Sequence, residues 1–206
     1  MSCADKRGLL IVVSGPAGSG KGTVLSRLLA EDNYRYSVSA TTRAPRPGEV
    51  DGVNYHFLTE AEFRRRIAAD EMLEHAEYCG NFYGTPKKEA YAVLDSGCNL
   101  LLEIEVAGAA QIKKKYPEAV LIMLLPPSFA VQEARLRGRG TETEEKIKQR
   151  LARTREELTY ISDYDYVVYN YDNGIDEAVA DIRAIVRAEA RALSRNTEAG
   201  KTYFET

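Results

Sequence analysis

Four short runs recur along the chain: Leu9-Leu10-Ile11-Val12-Val13, Leu100-Leu101-Leu102-Glu103-Ile104-Glu105, Val120 to Leu125 and Tyr166-Val167-Val168-Tyr169. Apolar runs this continuous suit strands buried on both faces. Between them the apolar period changes to that of a helix. Val24, Leu25, Leu28 and Leu29 recur at helical spacing after the first run, leaving Arg27 and Glu31 for solvent. Further helices are expected from about Ala107 to Lys115, from about Ser128 to Gly138-Arg139-Gly140, and from Thr141-Glu142-Thr143-Glu144 to about Leu158. A last one spans about Ile175 to Arg195, with Ile182, Ile185 and Val186 on one side. Strands alternating with helices predict an α/β layered fold with a mainly parallel, five-stranded sheet.

Residues 36–85 break that rhythm. Ser37-Val38-Ser39 reads as a short strand, and Thr41-Thr42-Arg43-Ala44-Pro45-Arg46-Pro47-Gly48 as a loop that its prolines keep from being helical. Val53, Tyr55 and Phe57 alternate with Asn54, His56 and Leu58, as in a half-exposed strand. Thr59 and Glu62 form a capping box ahead of Phe63 and Ile67. Met72 to Tyr78 and Asn81 to Tyr83 read as strands joined at Gly80, and Pro86 opens a helix that stops at Gly97. A β-rich lobe, 36–85, is thus inserted into a single domain whose core is 8–35, 86–135 and 160–195. Residues of about 136–159 stand apart from that core as a Gly-Arg-Gly hinge and the helix after it.

Composition narrows the function. The 206 residues carry 28 Lys and Arg against 31 Asp and Glu, a balance that argues against a general nucleic-acid or membrane binder. No apolar segment approaches the roughly 20 residues that span a bilayer. Met1 to Gly8 is polar and lacks the apolar heart of a secretion signal. Cys3, Cys79 and Cys98 have no metal-ligand spacing, so reduced thiols and a cytoplasmic location are expected. His56 and His75 stand alone and are expected to be structural.

The most informative stretch is Gly15-Pro16-Ala17-Gly18-Ser19-Gly20-Lys21-Gly22-Thr23, between the first strand and the first helix. It fits the phosphate-binding pattern G-x-x-x-x-G-K-[ST] except that Gly22 displaces the hydroxyl, so Thr23 sits one place late. Glycines let the backbone aim its N–H groups inward, the helix start adds partial positive charge, and Lys21 adds a full one. Arg43 and Arg46, with Tyr55 and Tyr83 nearby, suit either a second phosphate or a solvated basic loop over core tyrosines. Glu103 and Glu105 lie at the C-terminal end of a core strand, where ligands of open α/β sheets gather, and alternation puts both on one face. Arg135, Arg137, Arg139, Arg150, Arg153 and Arg155 read, as a bare run, as a solvated basic face.

Taken in order, the phosphate loop, Ser39 to Glu49, Leu73-Glu74-His75-Ala76-Glu77 with Asn81-Phe82-Tyr83-Gly84-Thr85, and Arg137-Gly138-Arg139-Gly140-Thr141-Glu142-Thr143 closely resemble guanylate kinases over about residues 8–190. The resemblance implies the three-layer fold of P-loop kinases and transfer of the γ-phosphoryl group of ATP to GMP, in purine nucleotide metabolism. It assigns Arg43, Arg46, Tyr55 and Tyr83 to the GMP phosphate, and Ser39, Glu74, Thr85 and Glu105 to guanine. Lys21 and the loop, with Asn170 near adenine, fall to ATP; Arg135, Arg139 and Arg150 fall to a lid over its phosphates. Lys21, Arg43, Arg135, Arg139 and Arg150 are the expected catalytic residues. Mg²⁺ is expected with ATP, supported by Thr23 and, through water, by Glu103. The chain departs from the family's usual Gln at Ala107 and from a usual acid at Tyr171. GMP and dGMP, and monomer and homo-oligomer, stay open. Lys21 separates the chain from non-catalytic relatives that bind phosphorylated peptides. The lack of Asn-Lys-x-Asp after a core strand separates it from regulatory GTPases.

Overall fold

A computed structural model describes residues 7–31, 33–78, 80–138, 140 and 143–202. Its main sheet contains β1 (Leu10–Ser14), β2 (Tyr34–Tyr36), β7 (Asn99–Glu103), β8 (Val120–Leu125) and β9 (Tyr166–Tyr169), in the order β2-β7-β1-β8-β9 and all parallel. Alternation along β1 explains its unbroken apolar run. Ile11 and Val13 join a core with α1 (Lys21–Leu29) and α7 (Ile175–Glu189), where Leu25, Leu28 and Ile182 are buried. Leu10 and Val12 join the opposite core, under α3 (Lys87–Asp95) and α4 (Val106–Lys115), with Leu94 and Ile112. Each such fully buried aliphatic side chain contributes about 1.5–3 kcal/mol.

A second, mixed sheet is made of β3 (Ala40–Thr41), β4 (His56–Phe57), β5 (Met72–Tyr78) and β6 (Asn81–Pro86), in the order β4-β3-β6-β5. Its small core is Ala40, Phe63 and Met72, with Phe63 of α2 (Glu60–Ala68) stacked on Phe82 at 5.6 Å. Leu73 of β5 enters the α3–α4 core, and Gln111 of α4 bonds the backbone of His75 at both N (3.3 Å) and O (2.7 Å). The second sheet is thereby fastened to the first. Beyond β8, α5 (Phe129–Gly138) and α6 (Glu144–Glu157) pack on each other through Leu136, Ile147 and Leu151. The described chain ends in α8 (Ala199–Thr202).

Several expectations are corrected. Ser37-Val38-Ser39 is not a strand; Tyr34–Tyr36 is, and it pairs with β7 as the fifth parallel strand. Only Tyr34 of that edge strand is buried, so it has little apolar pattern. The strand expected over 53–57 shrinks to His56–Phe57, because Asn54 Oδ1 accepts from Val50 N (2.8 Å) and folds 50–54 into a turn. Half the capping box forms. Thr59 Oγ1 accepts from Glu62 N (3.2 Å), while the Glu62 carboxylate pairs with Arg65 and Arg66 instead of returning. β6 continues to Pro86, and α7 stops at Glu189 before a short 3₁₀ turn at Leu193–Arg195. Thr143 caps α6, accepting from Lys146 N at 3.4 Å. Cys3, Cys79, Arg139, Thr141 and Glu142 lie outside the described residues. Among those described, no helix is long and apolar enough to cross a membrane.

Candidate active site

The glycine-rich turn leaves β1 and enters α1, and its geometry demands glycine at two points. A Cβ at Gly15 would stand 2.1 Å from Leu124 O, and one at Gly20 2.3 Å from Asn170 Nδ2. Gly20 is left-handed (φ 88°) at the N-cap of α1. Three successive carbonyls of the turn are held from outside. Gln132 Nε2 donates to Ala17 O (2.8 Å), Arg135 Nη1 to Gly18 O (3.4 Å) and Asn170 Nδ2 to Ser19 O (2.8 Å). A trans peptide carries its C=O and N–H on opposite sides, so the amides of Gly18 and Gly20 face the concave side. The amide of Ser19 is used within the turn, on Pro16 O at 3.1 Å. Lys21 Nζ folds back to donate to Gly15 O. The result is an anion seat at a helix start.

Beside it opens a cavity of about 580 Å³. Lys21, Ser39, Tyr55, Glu74, Tyr83, Glu103 and Glu105 are among the residues that line it. Arg43 lies 5.6 Å from the centre of the Tyr55 ring, and the Tyr55 and Tyr83 rings meet edge to face at 6.2 Å. Glu49 fixes the arginine loop. Both its oxygens accept from Arg43 Nη2 (2.9 and 3.0 Å), and one accepts from Arg46 N (2.7 Å). That pairing lowers the Glu49 carboxyl below its ordinary value and raises the Arg43 guanidinium. Burial, then the neighbouring Tyr83, raises the Tyr55 phenol.

At the floor, Glu74 is 4% exposed, and burial pushes its carboxyl up to about 7 although Thr85 Oγ1 donates to Glu74 Oε1 (2.8 Å). Its other oxygen faces α4 where Gly108 leaves room; a Cβ there would stand 2.8 Å from Oε2. Glu103 ends β7 opposite Val13 of β1. Glu105 is at the N-cap of α4 and pairs with Arg153 of α6 at 3.2 Å. Arg153 also reaches Glu157 (3.1 Å), whose carboxyl is raised by burial first and by Glu105 second.

A family model described as guanylate kinase matches residues 7–189. Guanylate kinase of Halalkalibacterium halodurans is 54% identical over 185 residues, 89% of this chain and 90% of that one. The chain is 50% identical over 195 residues to guanylate kinase of Clostridium perfringens, covering 94% of itself and 89% of the relative. The crystal structure of guanylate kinase from Anaplasma phagocytophilum matches with a TM-score of 0.73 at 36% identity, over 94% of this chain and 92% of that one. The chain belongs to the guanylate kinase family.

With guanylate kinase membership comes ATP-dependent phosphorylation of GMP to GDP. Of the residues expected for that reaction, Lys21, Ser39, Tyr55, Glu74, Tyr83, Glu103 and Glu105 line one cavity, with Thr85 bonded to Glu74 and Arg43 against Tyr55. Glu103 and Glu105 share it for a different reason from the one expected: β7 ends at Glu103, and Glu105 starts a helix. Thr23, Arg46 and Arg150 are exposed and do not line it. Arg135 and Asn170 stand behind the phosphate loop. Arg135 bonds Asn170 O (2.8 Å) and Asp172 (2.8 Å), and Asn170 is 4% exposed.

Sequence reading passed over Gln132, Glu49 and Gly108. Gln132 had a signal, a polar residue one helical turn before buried Leu136. Glu49 offered only an opposite charge six places after Arg43. Gly108 offered none beyond a glycine inside a helix.

Proposed function

We propose that the inward amides and Lys21 hold the ATP phosphates, and that Arg43, Arg46, Tyr55 and Tyr83 hold the phosphate of GMP. The observation that carries this is one cavity lined by Lys21 together with Tyr55, Tyr83 and Glu74. Guanine offers donors at N1 and N2 and an acceptor at O6, so Glu74 and Glu105 face the donors, Thr85 orients the Glu74 carboxylate, and Ser39 serves O6. Adenine has a lone pair at N1, which would strand the buried carboxylate. The acceptor is GMP.

The GMP phosphate oxygen is already an anionic nucleophile, so no general base is required. Catalysis is alignment of that oxygen with the γ-phosphorus, exclusion of water and stabilisation of charge on the moving phosphoryl group. Lys21 supplies part of that charge. Arg139 and Arg150, carried by the lid of about 136–159, supply the rest as the lid closes. Arg135 keeps the outer side of the loop in place and reaches the phosphate side on closure.

Among the described residues no group of His, Cys, Asp and Glu forms a metal cage. Exposed Glu103 at the cavity suits Mg²⁺, which keeps most of its waters and takes few protein oxygens beside substrate phosphates. Thr23 Oγ1 and, through water, Glu103 would hold it. When bound it neutralises phosphate charge on ATP. The proposed location is the cytoplasm, where ATP and GMP are at hand.

Co-crystallisation with GMP and a non-hydrolysable ATP analogue tests these roles. The GMP phosphate is expected against Arg43, Arg46, Tyr55 and Tyr83, facing the γ-phosphate beside Lys21. A monophosphate lodged elsewhere overturns them.

A further inference from the structure

Between α5 and α6, Leu136, Ile147 and Leu151 pack with Ala17 of the phosphate loop. Two polar side chains sit in this apolar ground, Gln132 at 1% exposure and Thr154 at 2%. The Gln132 amide gives one hydrogen to Ala17 O (2.8 Å) and the other to Thr154 Oγ1 (2.7 Å). The Thr154 hydroxyl donates to Arg150 O (3.0 Å). Hydrogen bonds therefore run unbroken from the main chain of the phosphate loop to the main chain of the lid helix at Arg150.

Packing does not account for these two residues. Leucine and valine would fill the same space without desolvating polar groups. What the amide adds is direction. Holding Ala17 O toward α5 turns the N–H of Gly18 to the concave side, because the two point oppositely across the peptide plane. Gly18 is left-handed (φ 88°), and its Cβ position is only 3.4 Å from Gln132 Cγ. A glycine peptide without such a tether reorients easily.

We infer that Gln132, with Thr154, is a positioning residue for phosphoryl transfer. It aims the Gly18 amide at the ATP phosphates and ties that aim to the placement of α6, so that loop and lid arginine come into register together. The inference rests on the loop being the ATP seat.

The test uses the full chain with Gln132→Leu and, separately, Thr154→Val. For each, kcat, KM for ATP, KM for GMP and melting temperature are measured, with the Gly18 amide followed by NMR as ADP is added. Gln132→Leu should keep its melting temperature and its KM for GMP while kcat/KM for ATP falls roughly 10- to 100-fold, short of the roughly 10²- to 10³-fold loss when a donor is removed outright. The Gly18 shift on adding ADP should shrink with it. Thr154→Val leaves the Ala17 bond in place, so kcat should fall with KM for ATP near wild type.

Wild-type ATP kinetics in Gln132→Leu overturn the inference, as does a joint loss of both KM values and melting temperature. If Gln132→Leu does not fold, Thr154→Val decides: an unchanged kcat overturns the link, and a lowered kcat at unchanged KM supports it. A wild-type Gly18 amide that ignores ADP brings down the seat itself, and the inference with it.

Discussion

Glu74 ties the proposed choice of guanine to a pH response. Burial holds its carboxyl at about 7, against an ordinary 4.5. Between those values the folded chain binds a proton that the unfolded chain lacks. Its contribution to stability is therefore present below about 4.5 and is lost as pH rises through about 7. Glu74→Gln should accordingly raise the melting temperature at about pH 8, with the gain vanishing toward about pH 4; a gain that grows on acidification contradicts the burial argument. Guanine donors favour the ionised form, so GMP binding should release protons near pH 6–7, measurable by calorimetry in buffers of different ionisation enthalpy. Binding without proton release would show that the base does not face this carboxylate. Glu74 was legible because it lies in a quotable motif. Glu49 also closes a quoted motif, but its part was not legible, because its bond to Arg43 depends on how a proline-rich loop folds back, which no periodicity records.

Elements were legible where they carry their own apolar pattern. β8 and β9 fall where the runs place them, and α3 runs from Pro86 to its glycine stop. Edge strands were not: Tyr34–Tyr36 and His56–Phe57 are defined by partners distant in sequence rather than by their own residues. Gly108 illustrates the same limit inside a helix. By intrinsic propensity, alanine at an interior helix position is better by about 1 kcal/mol. Here the added carbon would meet Glu74 Oε2 at 2.8 Å, since α4 packs directly on β5. Gly108→Ala should raise KM for GMP severalfold, roughly the 10-fold scale of a misplaced binding group, and leave KM for ATP unchanged. An unchanged KM for GMP would mean that α4 does not brace the guanine seat.

At the scale of the whole molecule, the site is a product of topology. Lys21, Glu74, Tyr83 and Glu105 come from separate elements, and the parallel order β7-β1-β8 with the attached second sheet brings them to one cavity. Arg153 of α6 pairs with Glu105 at 3.2 Å, so the proposed guanine seat and the placement of α6 share a residue. GMP and a non-hydrolysable ATP analogue together should therefore reduce the radius of gyration in solution scattering more than either alone, and identical curves would argue against closure. The sequence motifs, each local, could name the parts of this machine but not Gln132 or Gly108, whose roles exist only after the elements pack. The central claim is that a buried carboxylate facing an anion seat selects guanine monophosphates for phosphorylation. Release of ADP, followed with GMP, dGMP, AMP, CMP and UMP as acceptors, tests it most directly. GMP is expected to exceed AMP by roughly 10⁴-fold in kcat/KM, and comparable turnover of AMP would contradict it.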